Sequence, residues 1–340
     1  IEEVYGKGSA NIKSPADIDK LIILKDDERF SRYLSILFLP KLVLTDRAAY
    51  VESGYHLASE MFNLYNVGFI RLKFTLSRAS TSNEQIPGLD SVDEEDVVTG
   101  LYEGLMRFRR EQPKFDFVLA PSFRKEADFY DSNAFKSKEE HFLYQVNAIL
   151  KIIERHPEII DRFNEVDTVG NEMNFYRKSH FQVMKMGFRR LQYRGFKIRS
   201  HHGEVWQTLK KGIQAVDNAM NIWRIDTLEH GLSLGVNPNY YFHSMFQRIL
   251  KWNARKESVR AGTPEQRELS DMEWSKYQYV QEKLLQGTPL NTEEIRLFTK
   301  AKFHLAREVE SYQHDVLNRM IDKGMSLVAL PSSNKKLTDC

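Results

Sequence analysis

Apolar and polar residues alternate along this chain with two different periods. Runs of period two, rich in β-branched and aromatic residues, predict strands at Val67–Phe74 (VGFIRLKF), Phe115–Phe123, Phe163–Glu172, Gly195–Glu204, Ile222–Gly235 and Met325–Ser333. Between them the apolar positions recur at helical spacing. Leu57, Met61 and Leu64 share a face within Tyr50–Tyr65, and Leu101, Leu105 and Phe108 do so within Val97–Arg110; Phe142–Ile153 and Phe181–Tyr193 follow the same rule. Strand and helix in strict alternation imply a parallel sheet joined by right-handed crossovers. The expected fold class is α/β, either an open doubly wound sheet or a (β/α)8 barrel of which six strands are visible.

Residues 237–323 are too long for an ordinary crossover. Their composition is helical, and Asn291-Thr292-Glu293-Glu294 reads as a helix start, so an inserted helical hairpin is expected there. The resulting organisation is a first barrel part over 1–236, the helical insertion over 237–323 and a last strand region over 324–340. Ala79–Asp96 is polar, acidic and turn-rich, and is expected to be a loop. The chain opens at Ile1 without methionine and stops soon after a buried-strand pattern, as a piece of a longer polypeptide would.

Composition narrows the function classes. With 41% hydrophobic and 28% charged residues, the chain has the balance of a water-soluble globular protein. The 49 Lys and Arg nearly cancel the 47 Asp and Glu, leaving +2, so charge gives no reason to expect nucleic acid or an anionic membrane as partner. The single cysteine, Cys340, excludes an internal disulfide, and a cytoplasmic location is expected.

The candidate chemistry lies at strand ends. Polar clusters fall after each of the last five predicted strands: Arg124-Lys125-Glu126, Gly170-Asn171-Glu172, His201-His202-Gly203-Glu204, Glu229-His230-Gly231 and Ser332-Ser333-Asn334. In parallel α/β barrels the site is built on that face. Neutral imidazole suits a divalent metal whose bound water is acidified, and a nearby carboxyl can carry the proton that hydrolytic attack requires. His201 and Glu204 sit on either side of the Gly203 turn and can face one point, with His230 on the next strand. Strand alternation puts Lys197, Arg199 and His201 on one face and Ile198, Ser200 and His202 on the other.

Five of these segments, in order, resemble the motifs of adenosine deaminase-type amidohydrolases. SHHGE resembles H-A-G-E, RIDTLEHG resembles R-I-G-H-G, VDTVGNE resembles D-L-A-G-D-E, LVALPSSNKKL resembles C-P-T-S-N, and VGFIRLKF resembles Y-V-E-L-R. The resemblance implies a zinc-dependent barrel that hydrolyses the exocyclic amine of adenosine or a phosphorylated adenosine. It implies His201 as a zinc ligand, Glu204 as donor of a proton to the purine ring, His230 as the group orienting water, and Gly170, Ser333 and Asn334 as substrate contacts. The family's H-x-H ligand pair occurs nowhere in this chain, and no strand bearing its metal-binding Asp follows the last predicted one. The remaining zinc ligands are therefore expected outside this segment, and a degenerate barrel serving as an assembly or binding scaffold is the alternative. Insert-bearing relatives of the family join prokaryotic antiviral defence assemblies. Separately, Trp252, Trp274, Tyr277, Tyr279, Phe298 and Phe303 make either a small core of the insertion or a subunit contact, so a homo-oligomer through the helical insertion is expected, with a possible partner subunit.

Overall fold

The computed structural model describes residues 7–23, 25, 42–76, 92–273 and 277–331. In chain order these form α1 (Pro15–Ile22), α2 (Arg47–Tyr65), β1 (Phe69–Phe74), α3 (Glu94–Glu111), β2 (Asp116–Arg124), α4 (Lys138–Arg155), β3 (Glu165–Val169), α5 (Lys178–Tyr193) and β4 (Lys197–His202). They continue as α6 (Leu209–Asn218), β5 (Thr227–His230), α7 (Leu232–Gly235), α8 (Pro238–Ala254), α9 (Pro264–Asp271), α10 (Gln278–Gln286), α11 (Thr292–Asp322) and β6 (Ser326–Val328). Every predicted strand run contains an observed strand. The fold class is therefore α/β with parallel strands in chain order.

The chain divides into two compact units. The first comprises residues 1–170, 181–200 and 330–340. Its strands β1, β2, β3 and the start of β4 pair in parallel, with Ile70 opposite Phe117, Ser122 opposite Asp167 and Val166 opposite Ile198. Phe142 meets Phe123 edge-on at 4.9 Å and Phe188 at 5.0 Å, which locks α4 and α5 onto the strands. Three ion pairs run across this sheet: Arg71 with Glu165 at 2.7 Å, Lys73 with Asp167 at 3.3 Å and Arg199 with Glu165 at 3.5 Å.

Helices α2 and α3 cross backbone to backbone. A Cβ placed on Gly104 would lie 2.0 Å from the Val51 carbonyl oxygen, and one on Gly54 would lie 2.9 Å from that of Leu101. Neither oxygen can swing aside as a side chain could. Gly104→Ala is expected to force the helices apart and cost about 1–3 kcal/mol, read as a lower denaturation midpoint; an unchanged midpoint would refute the tight crossing.

The second unit comprises residues 171–180 and 201–329. The amide of Gly231 donates to His202 O at 3.0 Å, and that of Ser233 to Gly203 O at 2.9 Å, tying the end of β4 to the end of β5. Strand β6 then pairs with β5, Leu327 opposite Leu228. Residues 237–323 hold four helices among the described residues, where a hairpin would have two. The extra breaks follow from local chemistry. Thr263 caps α9 with Pro264 in its first turn, and Gly287 ends α10 at φ 74°. The expected start at Asn291 is present as a capping box with Glu294. Phe246 of α8 stacks on Phe298 of α11 at 4.1 Å, which gives these helices a core of their own.

The acidic loop expected to run to Asp96 falls at 77–91 outside the described residues. Its last acids are the start of α3: Asp93 caps the helix, accepting from Glu95 N at 2.7 Å, with Glu94, Glu95 and Asp96 in its first turn. No described helix is long and apolar enough to cross a membrane.

Candidate active site

Residues 201–204 and 229–233 form two turns that face each other within the second unit. At the first, Gly203 adopts φ 71°, and a Cβ there would lie 2.6 Å from Ser233 Oγ, so only glycine fits both the conformation and the space. At the second, His230 itself stands at φ 71°, an uncommon conformation for a residue with a side chain, one that clusters at functional sites.

The turns place three of the predicted side chains together. Glu204 and His230 are each 7% exposed, and His230 Nε2 lies 3.6 Å from Glu204 Oε2. The His201 ring packs against the His230 ring with centroids 5.2 Å apart and planes tilted by 55°. A carboxyl and an imidazole this close in a dry setting are chemically able to pass a proton. His202, on the opposite face of β4, is fully buried, stacked near Phe175 at 6.2 Å and beside Trp223 at 5.7 Å.

The residue that builds the first turn is Glu172, which the sequence places in a polar strand-end cluster without a role of its own. Its carboxylate is 3% exposed and accepts four hydrogen bonds. Oε2 takes one from His202 Nδ1 and one from Gly203 N, both at 3.0 Å; Oε1 takes those of Glu204 N at 2.5 Å and Val205 N at 3.0 Å. A ring of donors of this kind both fixes the turn and satisfies amides that burial would orphan. The available signal was a carboxylate closing the third strand run, one strand before the histidines.

Helix α9 holds the other end of the same loop. Arg267 Nε donates to Gln207 O at 3.0 Å, Thr208 Oγ1 donates to Asp271 Oδ2 at 2.9 Å, and Leu209 N donates to Glu268 Oε1 at 2.6 Å. Thr208 occupies the cap position of α6 but its side chain does not cap the helix; Glu268 does so from 59 residues away. Burial pushes the Glu268 carboxyl up to about 7, against the opposing pull of the Leu209 and Tyr241 hydrogen bonds.

A raised carboxyl pKa means that the folded protein binds a proton between about 4.5 and 7 that the unfolded chain releases, so this group costs stability as pH rises through that window. Glu268→Gln is expected to match the parent at pH 4.5 and to exceed it at pH 8 by up to about 3 kcal/mol. Urea unfolding at the two pH values tests this, and a pH-independent difference would refute the assignment.

Gly170, at φ 110° in the first unit, has its Cβ space filled by the Glu126 carboxylate, 2.2 Å from the position such an atom would take. Arg124 holds that carboxylate through its Nε at 3.1 Å and its Nη2 at 2.6 Å. Ser333 and Asn334 lie outside the described residues. For zinc, the donor set is incomplete: no group of three or more His, Cys, Asp or Glu side chains among the described residues is arranged to hold a metal. His201 and His230 alone fall short of the three protein ligands a catalytic zinc requires.

No family model and no curated protein matches the sequence. Among solved structures, the chain is similar to an amidohydrolase from Burkhoderia ambifaria determined with bound zinc. The identity is 12% and the TM-score 0.47, over 92% of this chain and 87% of that one. A likeness at this level assigns no role to any residue here.

Proposed function

We propose that the second unit carries a hydrolytic deaminase site for an aminopurine nucleoside or nucleotide, with Glu204 and His230 as its proton-handling residues. The observation that supports this is their buried approach at 3.6 Å, on turns locked by Glu172 and by the strand-end hydrogen bonds. In such a reaction water adds to the carbon bearing the exocyclic amine while the adjacent ring nitrogen is protonated. The carbon–nitrogen bond then breaks and ammonia leaves. Glu204 is the donor to the ring nitrogen. His230 takes the proton of the attacking water and returns it to the departing amine, and the hydroxyl proton released as the carbonyl forms goes back to Glu204, so the protons balance. The purine identity and any wider defence assembly rest on the motif resemblance.

Because the described donors do not complete a metal site, no step here runs through zinc; His201 is the imidazole that would serve as a ligand to one. The test is ammonia release from adenosine, AMP and ATP, with metal content measured on the same sample and on His201→Ala. Turnover of at least one substrate, lost in the variant together with its zinc, is the expected result. No release from any of the three would overturn the deaminase reading and favour the scaffold.

A further inference from the structure

A cleft of about 490 Å³ opens in the second unit between α6, α9 and α11, away from the His201–Glu204–His230 cluster in its lining. Its volume falls in the range of small-molecule sites, roughly 300–1,000 Å³. Its charges are sorted. Lys210 and Lys211 are already committed, to Glu308 and Asp271, each at 2.6 Å. The α9 side adds Glu268 and Glu273, the latter within electrostatic reach of Lys210, and α11 adds Lys300 and His304. Among the described residues, neither Glu273 nor Lys300 nor His304 makes an ion pair or side-chain hydrogen bond.

Glu268 carries the argument. It is 4% exposed and lines the cleft, and both of its hydrogen bonds, from Leu209 N and Tyr241 OH, fall on Oε1. Oε2 accepts none among the described residues. Oε2 is thus the oxygen of this largely desolvated carboxyl left for a ligand ammonium or other N–H group entering the cleft. A cation there would also favour the ionised carboxylate that burial opposes. A ligand with only that positive end would leave Lys300 unanswered; a purely anionic one would face Glu268 and Glu273.

We propose that this cleft binds a small zwitterion, its amine on Glu268 and Glu273 and its acid group toward Lys300 and His304. The apolar side chains of Leu297 and Leu305 on the α11 wall provide a surface for the body joining the two ends.

The proposal is independent of the deaminase reading and is tested without any activity assay. Straight-chain ω-amino acids from β-alanine to 6-aminohexanoate are titrated into the protein, with n-butylamine and butyrate as single-charge controls, by ligand-observed NMR. At least one chain length is expected to bind tenfold or more tightly than either control, and Glu268→Gln and Lys300→Glu are each expected to weaken it tenfold. Lys300 and Glu273 are exposed, so Lys300→Glu and Glu273→Gln probe the site without disturbing the fold. If no ω-amino acid outbinds both controls, or if binding is unchanged in these variants, the proposal fails.

Discussion

Glu172→Ala is expected to destabilise the protein by about 4 kcal/mol, the largest effect of any single truncation considered for this chain. The substitution removes the acceptor of four hydrogen bonds at once. The amides of Gly203, Glu204 and Val205 lose their partner, and so does Nδ1 of His202, a side chain with no exposure. Each buried donor left in this way costs about 1–3 kcal/mol, less whatever water or a rearranged loop recovers. Against a total stability of roughly 5–15 kcal/mol, the loss should be visible as a large drop in denaturation midpoint. Glu172→Gln keeps one oxygen for two of the donors and turns its amide nitrogen toward the others, so it should fall between the parent and Ala. A cost under about 1 kcal/mol for Ala would mean that the loop holds its shape without the carboxylate.

The second large effect is on turnover. Glu204→Gln is expected to lower kcat about 10²–10⁴-fold, the usual worth of a positioned acid, while KM changes little. Glutamine matches the shape but cannot deliver a proton. The fold should survive, because the Glu172 carboxylate holds residue 204 by its backbone amide and not by its side chain. The comparison is made on ammonia release at saturating substrate, with the unfolding midpoint measured alongside. Turnover within tenfold of the parent would remove Glu204 from the chemistry, whatever the status of the rest of the site.

Much of this architecture was legible in hydrophobic spacing. The six strand runs each contain a strand because a period-two pattern bounded by Gly, Pro and Asn leaves little choice of local structure. Alternation also separated the two histidines: Ile198, Ser200 and His202 are all fully buried, whereas His201 is not. The ends of the runs were less readable. The fifth predicted run began at Ile222, but Ala219–Trp223 continues α6 as a π turn and Arg224 reverses the chain at φ 56°, so β5 starts only at Thr227.

The partners that make the site were not legible, for a physical reason. Glu172 reaches His202 across 30 residues, and Glu268 reaches Leu209 across 59. Nothing in local propensity marks which of many acids will meet which amide. Four helices in place of a hairpin could have been anticipated at Gly262-Thr263-Pro264 and Gly287, where the punctuation is local.

The grip of α9 on residues 207–209 has a consequence for how such a chain can change over time. A segment inserted between two strands is ordinarily dispensable, since its host closes up when it is trimmed away. Here Arg267, Glu268 and Asp271 terminate hydrogen bonds that belong to the start of α6. Excising the four helices would therefore strip α6 of its first anchor, five residues beyond Glu204. The four helices are thereby tied to the start of α6, and a variant lacking them would need a capping side chain there to keep it.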